Sequence, residues 1–208
     1  MDKDQIELYY TNDDIIFLLS NSKKVGWETI KVQSIYRIIY LSKVLYSFAN
    51  GEEPNIFEYY HFTTTLSGPY SRVISNSLDF LYSNQFISNS DTGIELSIDD
   101  QILHQALEVN NDDKKEKKQN WFKTVILLLS KYGENRIFSF TINDPLYQEN
   151  LDSNSIKEIT FDNSENRTLE VLNSFKGAFE ESIQDTSSIS REEYLELYFE
   201  YIFSQIIK

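Results

Sequence analysis

Residues 70–98 read YSRVISNSLDFLYSNQFISNSDTGIELSI, and their pattern decides the fold. Val73, Ile74, Leu78, Leu81 and Tyr82 recur at helical spacing, which predicts a helix from about Tyr70 or Ser71 to Ser83. Ser71 stands where a hydroxyl accepts amide hydrogen bonds at a helix start. Phe86-Ile87-Ser88 and the run Ile94 to Ile98 flank turn residues Asn89 to Gly93, the layout of a hairpin.

Working towards the N-terminus, residues 57–70, FEYYHFTTTLSGPY, are aromatic and β-branched without helical spacing, and they end at the breaker Gly68-Pro69. They predict an ordered loop or short strand. Before them, residues 29–48, TIKVQSIYRIIYLSKVLYSF, are apolar on nearly every face, as in a buried helix. Residues 12–22, NDDIIFLLSNS, predict a short helix opened by capping residues. Three helices and then a hairpin is the element order of a winged helix.

Towards the C-terminus the pattern is helical. A short helix is expected over Asp99 to Val109, and a longer one over Asp112 to Tyr132 with Gly133 as its stop. Residues 134–160, holding Asn143-Asp144-Pro145, are expected to be irregular. Two further helices are expected over Asn163 to Ile183 and Ser190 to Ile207. The expected fold is mainly α with a small β-hairpin: a winged-helix-like domain over 1–110, then a helical domain over 111–208 packed on it.

The chain has 208 residues, Lys+Arg 19 against Asp+Glu 33, and a formal net charge of −14. At 40% hydrophobic and 14% aromatic residues it has ample material for a core and is too apolar to be disordered. With no Cys, disulfides, thiol catalysis and thiolate metal sites are excluded. The longest aliphatic run, Val125 to Leu129, falls far short of the roughly 20 residues of a membrane span. The acidic opening MDKDQIELYY lacks the layout of a secretion signal, so a soluble cytoplasmic protein is expected. The main basic cluster, Lys114, Lys115, Lys117 and Lys118, is diluted by Asp112, Asp113 and Glu116. It offers at most a weak DNA contact, because an autonomous DNA binder presents a basic stripe that releases counterions from phosphates.

The sequence shows no catalytic constellation. The scattered glycines build no phosphate-cradling loop, and there is no Gly-x-Ser-x-Gly elbow. His61 and His104 lie far apart, and His61 among Tyr59, Tyr60 and Phe62 reads as a hydrogen-bonded loop or core histidine. The carboxylate pairs Glu52-Glu53, Asp99-Asp100 and Glu180-Glu181 read as surface or helix-start charges. A divalent ion on such a pair, as in a metal-dependent nuclease, is the competing reading. No cofactor, metal or catalytic residue is therefore expected, and the chain is read as non-enzymatic.

The most distinctive stretch runs from Tyr59-Tyr60-His61-Phe62 to Ser67-Gly68-Pro69-Tyr70-Ser71 and follows the helix VQSIYRIIYLSKVLYSF. With Asp144-Pro145-Leu146-Tyr147 it resembles the small middle components of bacterial three-component systems built around an SMC-like or Rad50-like ATPase, of which Lamassu-type phage defence is the best-known kind. The likeness covers roughly residues 25–150. It departs from the family pattern at Val32-Gln33-Ser34-Ile35, which lacks the usual Lys, and over Thr63 to Ser67, which lengthens the approach to Gly68.

The resemblance implies a non-catalytic accessory subunit that docks on the ATPase and on an effector such as a nuclease, with DNA reached only through the complex. Gly68, Pro69, Tyr70, Ser71 and Arg72 would form a structural turn or an interface. Tyr198 and Ile202, on the amphipathic last helix, fit either core or interface. The helix–helix–helix–hairpin order also fits a DNA-binding regulator or antitoxin-like protein. Against that, the presumed recognition helix carries Arg72 as its one cation, together with Asp79.

Overall fold

A computed structural model describes residues 2–51, 53–98, 113–151, 158–162, 166–182 and 189–206. The expected helix over 99–109, Asp99-Asp100, Glu52 and His104 lie outside the described residues. The fold is mainly α. Among the described residues there are eight helices and two antiparallel two-stranded sheets.

Helix α1 (Lys3–Lys24) begins well before the expected residue 12. Asp2 caps it, accepting from the Gln5 amide at 2.9 Å while Gln5 Oε1 accepts from the Asp2 amide at 3.2 Å. Asp13 and Asp14 are therefore interior helix residues rather than its caps. Helix α2 (Val32–Asn50) buries Ile35, Ile38, Ile39, Tyr40, Val44, Leu45, Tyr46 and Phe48, each at most 1% exposed. This matches its all-round apolar sequence: α2 packs against the four later helices α4, α5, α7 and α8 and against strand β2.

The aromatic stretch after α2 contains a hairpin of its own, β1 (Thr63–Thr65) with β2 (Gly68–Tyr70), Thr64 facing Pro69. Helix α3 (Arg72–Ser83) follows directly, then β3 (Ile87–Asn89) and β4 (Ile94–Leu96), with Ser88 opposite Glu95. Ile94 also exchanges both backbone hydrogen bonds with Ile30, at 3.0 and 2.7 Å. This close approach explains Gly93, where a Cβ would lie 2.5 Å from the Ile30 carbonyl oxygen.

In the C-terminal half the helices are α4 (Asp113–Ser130), α5 (Glu134–Ile142), α6 (Pro145–Leu151), α7 (Arg167–Ser182) and α8 (Arg191–Ile206). The expectation of an irregular 134–160 is corrected: α5 and α6 fill much of it. Ile137, Phe140 and Thr141 give α5 a buried side at i, i+3 and i+4. Asn143-Asp144 forms only a short break between two helices. Asp144 starts the second, accepting from the Tyr147 amide at 3.0 Å, and Pro145 opens it, where a missing amide hydrogen costs nothing. Residues from both halves join one hydrophobic cluster. Within the described residues no helix is long and apolar enough to cross a membrane.

Candidate functional site

The hairpin corner before α3 is closely packed. Gly68 has φ +122, and a Cβ there would sit 3.2 Å from Arg37 Nε. Arg37 donates to the Ser67 carbonyl at 2.6 Å and lies over the Phe138 ring at 4.7 Å. Gly68 and Pro69 are buried and serve the turn. Tyr70 is 42% exposed and stacks on Tyr36 with ring centroids 5.8 Å apart. Ser71 is buried and Arg72 exposed.

Tyr70, Ser71 and Arg72 line a hollow of about 540 Å³ between the first turns of α1 and α3, together with Asp2, Asp4, Leu8 and Glu158. A second hollow of about 660 Å³ lies between α1 and α4, lined by Ile6, Tyr10, Glu58, Lys114, Lys115 and Lys118. Glu7, Tyr59 and His61 line both, so the two lie side by side along α1. The fold thus brings two sequence-predicted groups, the 70–72 turn and the lysine cluster, to one face.

The lysines do not stand free on that face. Lys114 pairs with Glu58 at 3.2 Å, Lys115 with Asp13 at 2.9 Å and Lys117 with Glu53 at 3.1 Å. Lys118, expected in a surface patch, is 6% exposed and bonds Asp14 at 3.1 Å and the Tyr59 hydroxyl at 2.7 Å. Burial keeps it from a nucleic-acid backbone, which corrects its reading as a DNA contact.

Asp14 is the centre that sequence reading missed. It accepts from the hydroxyls of Tyr59 and, at 2.8 Å, Tyr60, as well as from Lys118. Burial, then the Asp14 charge, lifts both tyrosines well above their ordinary pKa. The available signal was a carboxylate directly before the apolar run IIFLL, which any helix extending past it would bury.

A second buried centre forms around Asp144. It accepts from Tyr40 on α2 and from Thr168 on α7, each at 2.6 Å. Burial raises its carboxyl above the ordinary value, opposed by hydrogen bonds from Thr168, Tyr40 and the Tyr147 and Leu146 amides. Tyr147 in turn donates to the Thr65 carbonyl at 2.5 Å, tying α6 to the first hairpin. Lys43 on α2 is also buried, donating to the Tyr60 carbonyl at 2.5 Å beneath the Phe161 ring at 4.4 Å. Desolvation lowers its pKa to about 8.

Tyr198 belongs to the core: it is 6% exposed, and burial raises its pKa. Ile202 is half-buried beside it, and both line a small void with Leu41, Leu45 and Phe140. Of the carboxylates weighed for metal, Glu53 is held by Lys117 and Glu180 by Lys176 at 2.9 Å. Among the described residues no three His, Asp or Glu side chains converge as a metal site would require. Comparison with family models, curated proteins and solved structures returned no match.

Proposed function

We propose that this chain is a non-catalytic accessory subunit of an SMC-like ATPase antiphage complex in the cytoplasm, bridging or regulating the ATPase and a nuclease-like effector. The observation that carries the reading is that the segments bearing the family resemblance bond to one another. Tyr40, in the helix VQSIYRIIYLSKVLYSF, donates to Asp144 of the Asp-Pro-Leu-Tyr segment at 2.6 Å. Tyr147 of that segment donates at 2.5 Å to Thr65 in the approach to Gly68. Motifs that hold a frame together are what a scaffold retains, and here the buried titratable groups hold helices together.

On this reading α1 to α3 with the β3–β4 hairpin act as a winged-helix-like protein-docking module. Its α3 exposes Arg72 and, two turns on, Asp79 on an acidic chain, a poor match to a phosphate backbone and a suitable one to a basic protein surface. The test is a tagged pull-down of the full chain from its native host with mass spectrometry. Recovery of a coiled-coil ATPase and a small effector in comparable amounts is expected. Recovery of the chain alone would sink the assignment.

A further inference from the structure

We propose that the hollow between the first turns of α1 and α3 takes an extended, lysine- or arginine-bearing segment of a partner protein. The inference rests on the subunit reading and gives it a surface and a partner chemistry.

Charge is the first argument. Asp2, Asp4, Glu7 and Glu158 line the hollow against the single guanidinium of Arg72. Two of these carboxylates have weak, exposed partners: Glu7 meets Lys3 at 3.5 Å, and Glu158 meets His61 Nδ1 at 2.6 Å with both side chains about 60% exposed. Asp2 spends one oxygen on the Gln5 amide. Asp4 stands in the first turn of α1. A surplus of carboxylates in a concave site recruits cations and repels acidic ligands.

The second argument is independent of charge. Ser71 lines the same hollow, is 1% exposed, and its hydroxyl has no hydrogen-bond partner. It also makes no capping bond to the first turn of α3, although it occupies the N-cap position. A buried hydroxyl without a partner is costly. A docked main chain that parts the wall over Ser71 supplies the missing group: its carbonyls accept from the first-turn amides of α3 and from the uncovered Ser71 hydroxyl, while its basic side chains reach Asp4, Glu7 and Glu158. Tyr59, Tyr70 and Leu8 provide apolar wall for the aliphatic stems of those side chains. A free metal ion would leave that wall and the α3 amides unused.

The probe is a fluorescent peptide of alternating lysine and serine, titrated into the purified full chain and followed by anisotropy, with a glutamate–serine peptide as control. The lysine peptide is expected to bind saturably. Asp4→Lys with Glu158→Lys should weaken it about tenfold or more, against less than about twofold for Glu192→Lys with Glu200→Lys on α8. Ser71→Ala should weaken it several-fold while raising thermal stability slightly, because it removes a buried hydroxyl that has no partner in the free chain. Equal losses from the two charge-reversed pairs would reduce the effect to net charge and overturn the proposal. So would spermine binding as tightly as the peptide, or wild-type self-association abolished by the α1–Glu158 pair, which would make the occupant a small cation or a second copy. Repeating the pull-down with Asp4→Lys, Glu158→Lys separates the two readings. If that variant recovers the ATPase as well as wild type does, the hollow is not the docking site and the subunit reading stands. If wild type recovers no partner, the subunit reading falls and the titration alone decides the hollow.

Discussion

Lys118 on α4 bonds Asp14 on α1 at 3.1 Å, with the two side chains 7% and 10% exposed. The pair joins residues 104 positions apart and pins the C-terminal half to the first helix. Removing one member of a buried pair strands the other charge, which costs roughly 3–5 kcal/mol, whereas replacing both is far less harmful. Lys118→Met and Asp14→Asn are each expected to lower unfolding stability by about 3 kcal/mol or more. The double variant should recover about half of the summed loss. Urea melts of the four chains check this, and strictly additive losses would contradict the coupling.

Alkaline pH should unfold the protein through its buried tyrosines. Burial raises Tyr40, Tyr59 and Tyr60 well above the ordinary 10.0. Their stabilising contribution is complete below pH 10 and is lost as pH climbs, because the unfolded chain releases protons that the folded chain retains. The slope is about 1.4 kcal/mol per pH unit for each tyrosine. Denaturant midpoints should fall steeply above pH 10, and Tyr60→Phe should flatten the fall by about one proton's worth. A flat wild-type profile to pH 11 would refute it.

Lys43 should titrate well below an ordinary lysine. Its folded pKa of about 8 lies below the ordinary 10.5, so its contribution to stability is present above pH 10.5 and is lost as pH falls towards 8. Carbon NMR of the reductively methylated protein should show one lysine signal moving near pH 8, absent from Lys43→Met. The absence of a Lys43-dependent transition near pH 8 would contradict the burial argument.

Gly93→Ala tests the junction between the second hairpin and the segment before α2. The added carbon meets the Ile30 carbonyl oxygen at 2.5 Å, backbone against backbone, so the bridge to Ile94 must open or shift. A loss of roughly 2–3 kcal/mol is expected in thermal or urea unfolding. Gly177→Ala, which meets nothing within 4 Å, should be neutral or stabilising.

Helix α2 was legible in the sequence because an apolar surface on every face has one explanation, burial on every face. The hairpin at residues 87–96 was legible because Asn89 to Gly93 is turn chemistry between two short apolar runs. The start of α1 was missed because Lys3 to Thr11 carries mostly polar and exposed residues: a capping box and later packing, rather than periodicity, make it helical. Helices α5 and α6 were missed because Asn143-Asp144-Pro145 reads as a break, which it is, although a brief one. The candidate site was legible only in pieces. Tyr70, Ser71 and Arg72 were singled out, but their neighbours Asp4, Glu7 and Glu158 come from segments whose proximity only the fold decides. Lys118 misled because four lysines in a row of polar residues look alike until one of them turns inward.

The burial of α2 has a consequence during synthesis. Its contacts lie largely with α4, α5, α7 and α8, all encoded after residue 112. At roughly 5–20 residues per second, the ribosome exposes Ile35, Ile38, Ile39, Val44 and Leu45 for several seconds before their partners emerge. A nascent chain in that state presents a sticky helix to whatever is nearest. Truncated messages ending between α2 and α4 should therefore yield aggregated or chaperone-bound fragments.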